Sequence, residues 1–321
     1  MELENVLLIG GSGFVGGWIA SGLSQRGVRV TIPTRRRDNT KRLITLPTVS
    51  MVEANVHDPQ ALAELVKGHD AVINLVGVLH DNDSRLPYGK GFAAAHVDLP
   101  RMIVAAMKDS GVRRLVHMSA LNAALNAPSE YLCSKGEGEA IVRAAADELA
   151  VTIFRPSVIF GPDDSFLNMF AKLLKLFPIL PLGGGKARFQ PVFVGDVARV
   201  FVDCLSVRAT FGQTYDLCGP KVYTLRELVE YTGQLIGKSR RIVDLGDGGW
   251  AYLQAGLLWL LPKPPMSPDN LRSMEVDSVT DGTHDYPDWQ PTPLEAVAPT
   301  YLSPNEIEQL RLDRYRFRAG R

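Results

Sequence analysis

Tyr131 and Lys135 stand four residues apart in SEYLCSKGEGEA, residues 129–140. On a helix, side chains at i and i+4 share one face, so the phenol and the ammonium can approach one substrate together. A free tyrosine has a pKa near ~10, and a close ammonium favours the phenolate, which suits the pair to proton exchange at a hydroxyl or carbonyl oxygen. The same spacing also describes two ordinary residues on a half-buried helical face. The surrounding elements decide between these readings.

Residues 5–9, NVLLI, form an apolar run suited to a buried strand, and GGSGFVGGWIASGLSQRG follows it. Gly10, Gly13 and Gly16 give G-x-x-G-x-x-G across a strand, a turn and a helix with apolar Phe14, Val15, Ile19 and Leu23 at helical intervals. The first glycine permits a sharp turn, the middle one lets backbone N–H groups approach a pyrophosphate, and the third permits close packing of helix on sheet. The segment Gly10, Gly11, Ser12, Gly13, Phe14, Val15 and Gly16 is therefore expected to hold a dinucleotide; the alternative is a Gly-rich turn without a ligand. The next strand, VRVTIP at 28–33, ends in Thr34, Arg35, Arg36 and Arg37, with Asp38 only afterwards. An acid there would bond a ribose 2′-OH, whereas cations would pair with a 2′-phosphate. The reading favours NADP(H) over NAD(H), with Arg35 and Arg36 on the phosphate; a solvated basic loop is the other reading.

The alternation continues with strands at 49–55, 70–79 and 113–119 separated by amphipathic helices. Near-continuous apolar strands of this kind predict a parallel sheet covered on both faces, a doubly wound α/β architecture. Asn74 to Gly77, including Val76, fall at the carboxyl end of the fourth strand, where ligands bind in such sheets. Ser119 falls at the end of the fifth, and the Tyr131–Lys135 pair opens the helix that follows.

A strand-end serine, a tyrosine about a dozen residues later and a lysine one turn beyond, all downstream of a Gly-rich turn, resemble the short-chain dehydrogenase/reductase superfamily. GGSGFVG, NLVG at 74–77, HMSAL at 117–121, YLCSK at 131–135 and RPSVIFGP at 155–162 carry the resemblance over most of the chain. RPSVIFGPDDSFLNMFAKLL and FPILPLGGGKARFQPVFVGDVARVFVDCL look like the atypical branch that contains the nucleotide-binding accessory subunit of respiratory complex I and its bacterial relatives. The resemblance implies a Rossmann-type fold in which Tyr131 exchanges a proton with substrate, Lys135 lowers its pKa and bonds the nicotinamide ribose, and Ser119 steadies the substrate oxygen. It also implies that Pro156 and Ser157 lie near the nicotinamide, that Asn55 and Val56 lie near the adenine, and that Arg188 and Gln190 meet the substrate, in the region where sugar-nucleotide relatives bind diphosphate; an Arg188 that simply sits on the surface is the other reading. Two positions depart from the pattern. Asn55 stands where an Asp commonly contacts the adenine, and Leu121 stands where the extended branch often carries its substrate-binding hydroxyl.

The expected division is a Rossmann domain over 1–160 and a smaller, mostly helical substrate lobe over 161–321, with segments around 190–220 returning to the main domain. Two apolar groups in the lobe, Phe166 to Phe177 and Trp250 to Leu260, read as core, or as a greasy pocket or a surface that meets lipid, quinone or a membrane complex. The C-terminal arginines Arg311, Arg314, Arg316, Arg318 and Arg321 read as a solvated tail that could also dock weakly on an anionic surface.

Lysine plus arginine and aspartate plus glutamate balance at 35 each among 321 residues, so no field argues for nucleic acid. Cys133, Cys204 and Cys218 are odd in number and widely spaced, which suits a reducing compartment, buried thiols and no metal. The N-terminus carries no basic leader, and the run 250–262 falls short of the ~20 residues a bilayer-spanning helix needs. A cytoplasmic protein, in possible contact with the inner face of a membrane, is expected. Three functions fit: NADPH-dependent reduction of a carbonyl or quinone-related compound, a non-catalytic NADPH-binding accessory or assembly role in a respiratory or coenzyme Q complex, and, less favoured, a nucleotide-sugar epimerase or dehydratase.

Overall fold

A computed structural model describes residues 3–35, 43–81, 83, 87–246, 248–249, 252, 267–304 and 315. Arg36, Arg37, Trp250, Leu257 to Leu260 and the five C-terminal arginines lie outside the described residues.

The chain begins with β1 (Asn5–Ile9), α1 (Phe14–Gln25), β2 (Arg29–Thr34), β3 (Val49–Glu53), α2 (Pro59–Val66) and β4 (Ala71–Asn74). A short α3 (Lys90–Phe92) runs into a π-helix (Ala93–Asp98), followed by α4 (Leu99–Ser110), β5 (Arg114–Met118), α5 (Glu130–Ala144) and β6 (Ala150–Pro156). Next come β7 (Ile159–Phe160), α6 (Leu167–Leu176), β8 (Ile179–Leu182), β9 (Arg188–Phe189), β10 (Val192–Phe193), α7 (Val194–Asp203) and β11 (Gln213–Leu217). The described elements end with β12 (Tyr223–Thr224), α8 (Leu225–Leu235), β13 (Arg241–Asp244), α9 (Pro268–Ser273) and α10 (Leu294–Leu302).

The chain divides into two compact units. The first comprises 1–156, 194–217 and 280–287. Its seven-stranded sheet runs β11-β6-β5-β4-β1-β2-β3, and every pairing is parallel. Parallel strands require crossovers and buried faces, which explains the burial of Val6 to Ile9 in β1 and of all of β4, and the apolar cluster of Leu7, Val72, Leu99, Met107 and Val151 on one side of the sheet. The strand order reverses between β1 and β4, which lie side by side with Ile9 opposite Asn74. That reversal opens the crevice in which sheets of this type bind ligands. Asp216 bridges to Asp285, which ties the 280–287 segment to β11.

The second unit comprises 157–193, 218–279 and 288–321. Its core collects Phe170, Leu174, Leu180, Leu225, Leu228 and Ala298. Phe166, Met169 and Leu173 pack half-buried against it, whereas Phe177 is 45% exposed. The phenol of Tyr301 in α10 donates to the buried carboxylate of Asp164 at 2.8 Å, and that carboxylate also accepts the Leu167 N–H at the start of α6.

Cys204 and Cys218 are buried as expected, but Cys133 is only half-buried. It sits in the first turn of α5 with its thiol donating to the Ala127 carbonyl.

Candidate cofactor and proton-transfer site

The glycine turn joins β1 to α1. Gly10 adopts φ +83°, and a Cβ there would stand 3.1 Å from the Leu75 backbone, so the turn lies directly against the end of β4. A Cβ on Gly16 would stand 2.5 Å from the Gly11 Cα, which makes Gly16 the close-packing position. Gly13 is the exposed N-cap of α1, and no side chain caps the helix or places an acid in its first turn. Its first N–H groups and the positive end of its dipole fit a dinucleotide pyrophosphate.

Thr34 is buried and Arg35 is exposed at the end of β2. His57, in the loop after β3, is held below its ordinary pKa by burial and by the charge of Arg35. Within that loop the exposed Asn55 accepts the His57 N–H at 3.2 Å, and Val56 packs on the sheet core.

The loop after β4 is fixed by two buried side chains. Asn74 accepts the Val76 N–H at 3.1 Å through Oδ1, and its Nδ2 donates to His117 Nδ1 at 3.2 Å. His96, from the π-helix, accepts the Val78 N–H at 3.0 Å through Nε2. Its Nδ1 stands 2.8 Å from Ser134 Oγ, and that hydroxyl donates to the Tyr131 carbonyl at 2.9 Å. An accepting Nε2 assigns the ring proton to Nδ1, so the bonds run in one direction from the loop to α5. Burial, with Lys135 and His117 nearby, pushes His96 down to about 2, which keeps the imidazole neutral.

Ser129 caps α5 by accepting the Leu132 N–H, which sets the helix entrance just ahead of Tyr131. The half-buried Tyr131 ring meets His96 edge-on at 5.6 Å and Phe92 at 6.4 Å. Burial pushes its phenol up to about 12, so it carries its proton at neutral pH. Here burial of the phenol dominates, in contrast to the expected lowering by Lys135. Lys135 is buried, donates to the Met118 carbonyl at 2.6 Å, and is drawn down to about 8 by burial against the opposing pull of Glu139. Its Nζ lies 3.9 Å from where a Cβ on Gly77 would stand, which brings the ammonium to the β4 loop.

Ser119 follows β5, and its amide donates to the Phe154 carbonyl at 2.7 Å. Its buried hydroxyl lies near Glu139 and helps hold that carboxylate ionised, without a hydrogen bond of full geometry. Burial opposes ionisation of Glu139, but Arg155 grips it through two N–H groups at 2.8 and 2.5 Å and Arg143 adds a third contact. The carboxyl consequently stays below its usual range. Leu121 is buried, with its amide on the Pro156 carbonyl at 3.1 Å.

In the second unit, Ser157 Oγ is 2.9 Å from both the carbonyl and the hydroxyl of Ser278. Arg188 is exposed and pairs with Asp277, while Gln190 Nε2 donates to the Gly219 carbonyl at 2.7 Å. The first unit thus brings together the Gly10–Gly16 turn, Val76, Gly77, Tyr131 and Lys135. Ser119 stands at the Glu139 end of α5, and Ser157, Arg188 and Gln190 belong to the other unit.

His96, Ser134, Glu139 and Arg155 were missed by sequence reasoning. Glu139 continues the four-residue spacing from Tyr131 through Lys135, which was a usable signal. Gly136 and Gly138 were another: each is unfavourable inside a helix by about 1 kcal/mol relative to alanine, so a packing reason was to be expected.

A family model described as the NAD dependent epimerase/dehydratase family matches residues 6–218. The chain belongs to that family. Within it, this NAD(P)-binding, Rossmann-type protein is an atypical short-chain dehydrogenase/reductase. It is 32% identical over 301 residues to the mouse "NADH dehydrogenase [ubiquinone] 1 alpha subcomplex subunit 9, mitochondrial", covering 90% of this chain and 77% of the relative. It is 28% identical over 254 residues to a ceramide reductase of Caulobacter vibrioides, covering 79% and 76% of the two chains. An epimerase from Methanothermobacter thermautotrophicus shares the fold with a TM-score of 0.73 at 17% identity, over 98% of this chain and 95% of that one. Among the described residues no helix is long and apolar enough to cross a membrane, and no group of three or more His, Cys, Asp and Glu could hold a metal ion.

Proposed function

We propose that this protein is an NADP(H)-dependent reductase of a carbonyl or quinone-related compound of modest polarity. The observation that carries the reading is a protonated, half-buried Tyr131 one helical turn from Lys135, whose ammonium reaches the β4 loop at Gly77. When bound, a nicotinamide supplies or takes a hydride. Tyr131 gives its proton to the substrate oxygen in the reductive direction and recovers it from solvent. Lys135 holds its ammonium between the Met118 carbonyl and the cofactor ribose, and stabilises the phenolate left by proton transfer. The Gly10–Gly16 turn holds the pyrophosphate, Asn55 and Val56 flank the adenine, and Arg35 with Arg36 select the 2′-phosphate. Ser119 positions Glu139 or the substrate oxygen, Pro156 and Ser157 border the nicotinamide, and Arg188 and Gln190 contact substrate.

A second reading, a non-catalytic NADPH-holding subunit of a respiratory or coenzyme Q assembly, is favoured by the similarity to a complex I subunit and by the placement of Ser119 beside Glu139. Both readings accord with a protein on the cytoplasmic side, peripheral to the membrane. One experiment separates them: mass spectrometry of the nucleotide released from purified protein, followed by single-turnover absorbance of the reduced nicotinamide with quinones, ketones and aldehydes. Oxidation by a panel member that falls at least ~100-fold in Tyr131→Phe, with nucleotide still bound, supports the reductase. Nucleotide that stays reduced throughout moves the assignment to the accessory role.

A further inference from the structure

In the second unit, β8 and β13 form a two-stranded parallel sheet with Ile179 opposite Arg241 and Pro181 opposite Val243. Strand alternation sends Leu180, Leu182 and Ile242 into the core and leaves Ile179, Pro181, Arg241 and Val243 together on the other face. Parallel sheets are ordinarily covered on both faces, yet Ile179, Arg241 and Val243 on this face are exposed. It is continuous with the end of α6, where Leu176 is 72% and Phe177 45% exposed, and Ile179 itself is 51% exposed. Five consecutive residues, Lys175 to Ile179, are exposed, four of them apolar.

The charges beside this patch are of one sign. Lys172 and Lys175 lie on the exposed side of α6, Arg241 sits in the sheet face, and exposed Lys238 stands three residues before β13 begins. Among the described residues none of the four is ion-paired. The acids on the adjoining elements, Asp244 and Glu230, are turned to Arg226. Large apolar side chains among three lysines and an arginine without ion pairs match the boundary of an anionic bilayer, where the Phe177 ring and the aliphatic groups enter below the headgroups and the cations meet phosphate.

We infer that this face docks the protein on an anionic phospholipid membrane surface. The inference rests on the peripheral location proposed above and not on either reading of the cofactor site, because the test reads vesicle binding without turnover. The full chain is floated with phosphatidylcholine vesicles and with vesicles that also contain phosphatidylglycerol, at low and high salt. The unaltered protein is expected to bind the anionic vesicles selectively and to be released by salt, with each removed cation weakening binding about fivefold. Lys175→Glu with Arg241→Glu should abolish flotation, and Leu176→Ser with Ile179→Ser should weaken it; all four positions are exposed, so unchanged circular dichroism is expected. Equal binding to neutral vesicles, no binding, or binding indifferent to both double variants overturns the proposal. So does strong hydrogen-exchange protection of 176–179 in the free protein, a dimer that the variants dissolve, or binding to soluble polyglutamate without binding to vesicles, the mark of an acidic protein partner.

Discussion

The carbonyl oxygen of His96 lies 1.8 Å from where a Cβ on Gly138 would stand. The π-helix and α5 therefore touch backbone to backbone, and this contact sets the distance at which the His96 ring meets Tyr131. On the other side of α5, a Cβ on Gly136 would stand 2.5 Å from the Ala124 backbone. Two glycines two residues apart thus wedge the helix between fixed neighbours.

Gly138→Ala should destabilise the protein by about 1–3 kcal/mol in urea unfolding, since the obstacle is backbone and cannot swing aside. Gly17→Ala is the contrast: its nearest neighbour is the Leu43 side chain at 4.0 Å, and it should gain about 0.5–1 kcal/mol from helix propensity. Equal effects at the two positions would contradict the close approach.

His96 should appear in nitrogen-detected NMR as a neutral ring protonated at Nδ1, unchanged between pH 8 and about pH 4. Its pKa is about 2 in the folded chain and near ~6.5 when unfolded, so the unfolded state binds the extra proton between those values. Stability therefore falls as pH drops below about 6.5, by up to about 1.4 kcal/mol per unit for this residue, and His96→Asn should lack that share. An imidazolium signal near pH 6 would sink the assignment.

Lys135 has the complementary signature at high pH. Its ammonium is released near pH 8 in the folded chain and near 10.5 when unfolded, so stability should rise with pH between those values, by on the order of 3 kcal/mol over the whole range. Lys135→Met removes the rise, and the difference between the two proteins over pH 8 to about 9.5 isolates it from tyrosine titration. Parallel pH curves would show that the ammonium is not held away from water.

The two arginines on Glu139 should differ sharply. Its side chain is 4% exposed, whereas those of Arg155 and Arg143 are 23% and 53% exposed. Arg155→Ala should cost about 3 kcal/mol because it breaks a largely buried pair, and Arg143→Ala less than about 1 kcal/mol because its exposed charge is screened. Urea titration of the two variants provides the comparison, and a larger loss at Arg143 would reverse the ranking of the contacts.

Cofactor choice is tested at Arg35 and Arg36. Replacing both with alanine should weaken NADPH far more than NADH in equilibrium titration, because a 2′-phosphate loses its cations while the shared parts of the nucleotide keep theirs. Equal losses would argue for NAD(H) or for a merely solvated basic loop.

The sequence by itself determined the parallel sheet, because buried parallel strands must be apolar along their whole length and the helices between them amphipathic. It also determined the dinucleotide turn, since the roles of Gly10 and Gly16 are backbone roles that few other residues could fill, and it placed Tyr131 and Lys135 on one helical face. Tertiary structure alone decided the state of those side chains. Burial raises the phenol and lowers the ammonium, and burial is a sum over neighbours from several elements that no spacing records. It likewise joined Val78, His96, Ser134 and Tyr131 through three hydrogen bonds across three elements. It set Ser119 near Glu139, and among the described residues it left Ile179, Arg241 and Val243 exposed beside cations without an ion pair. Residues far apart in the chain meet only when the sheet order is set, and the direction of each side chain follows from that packing.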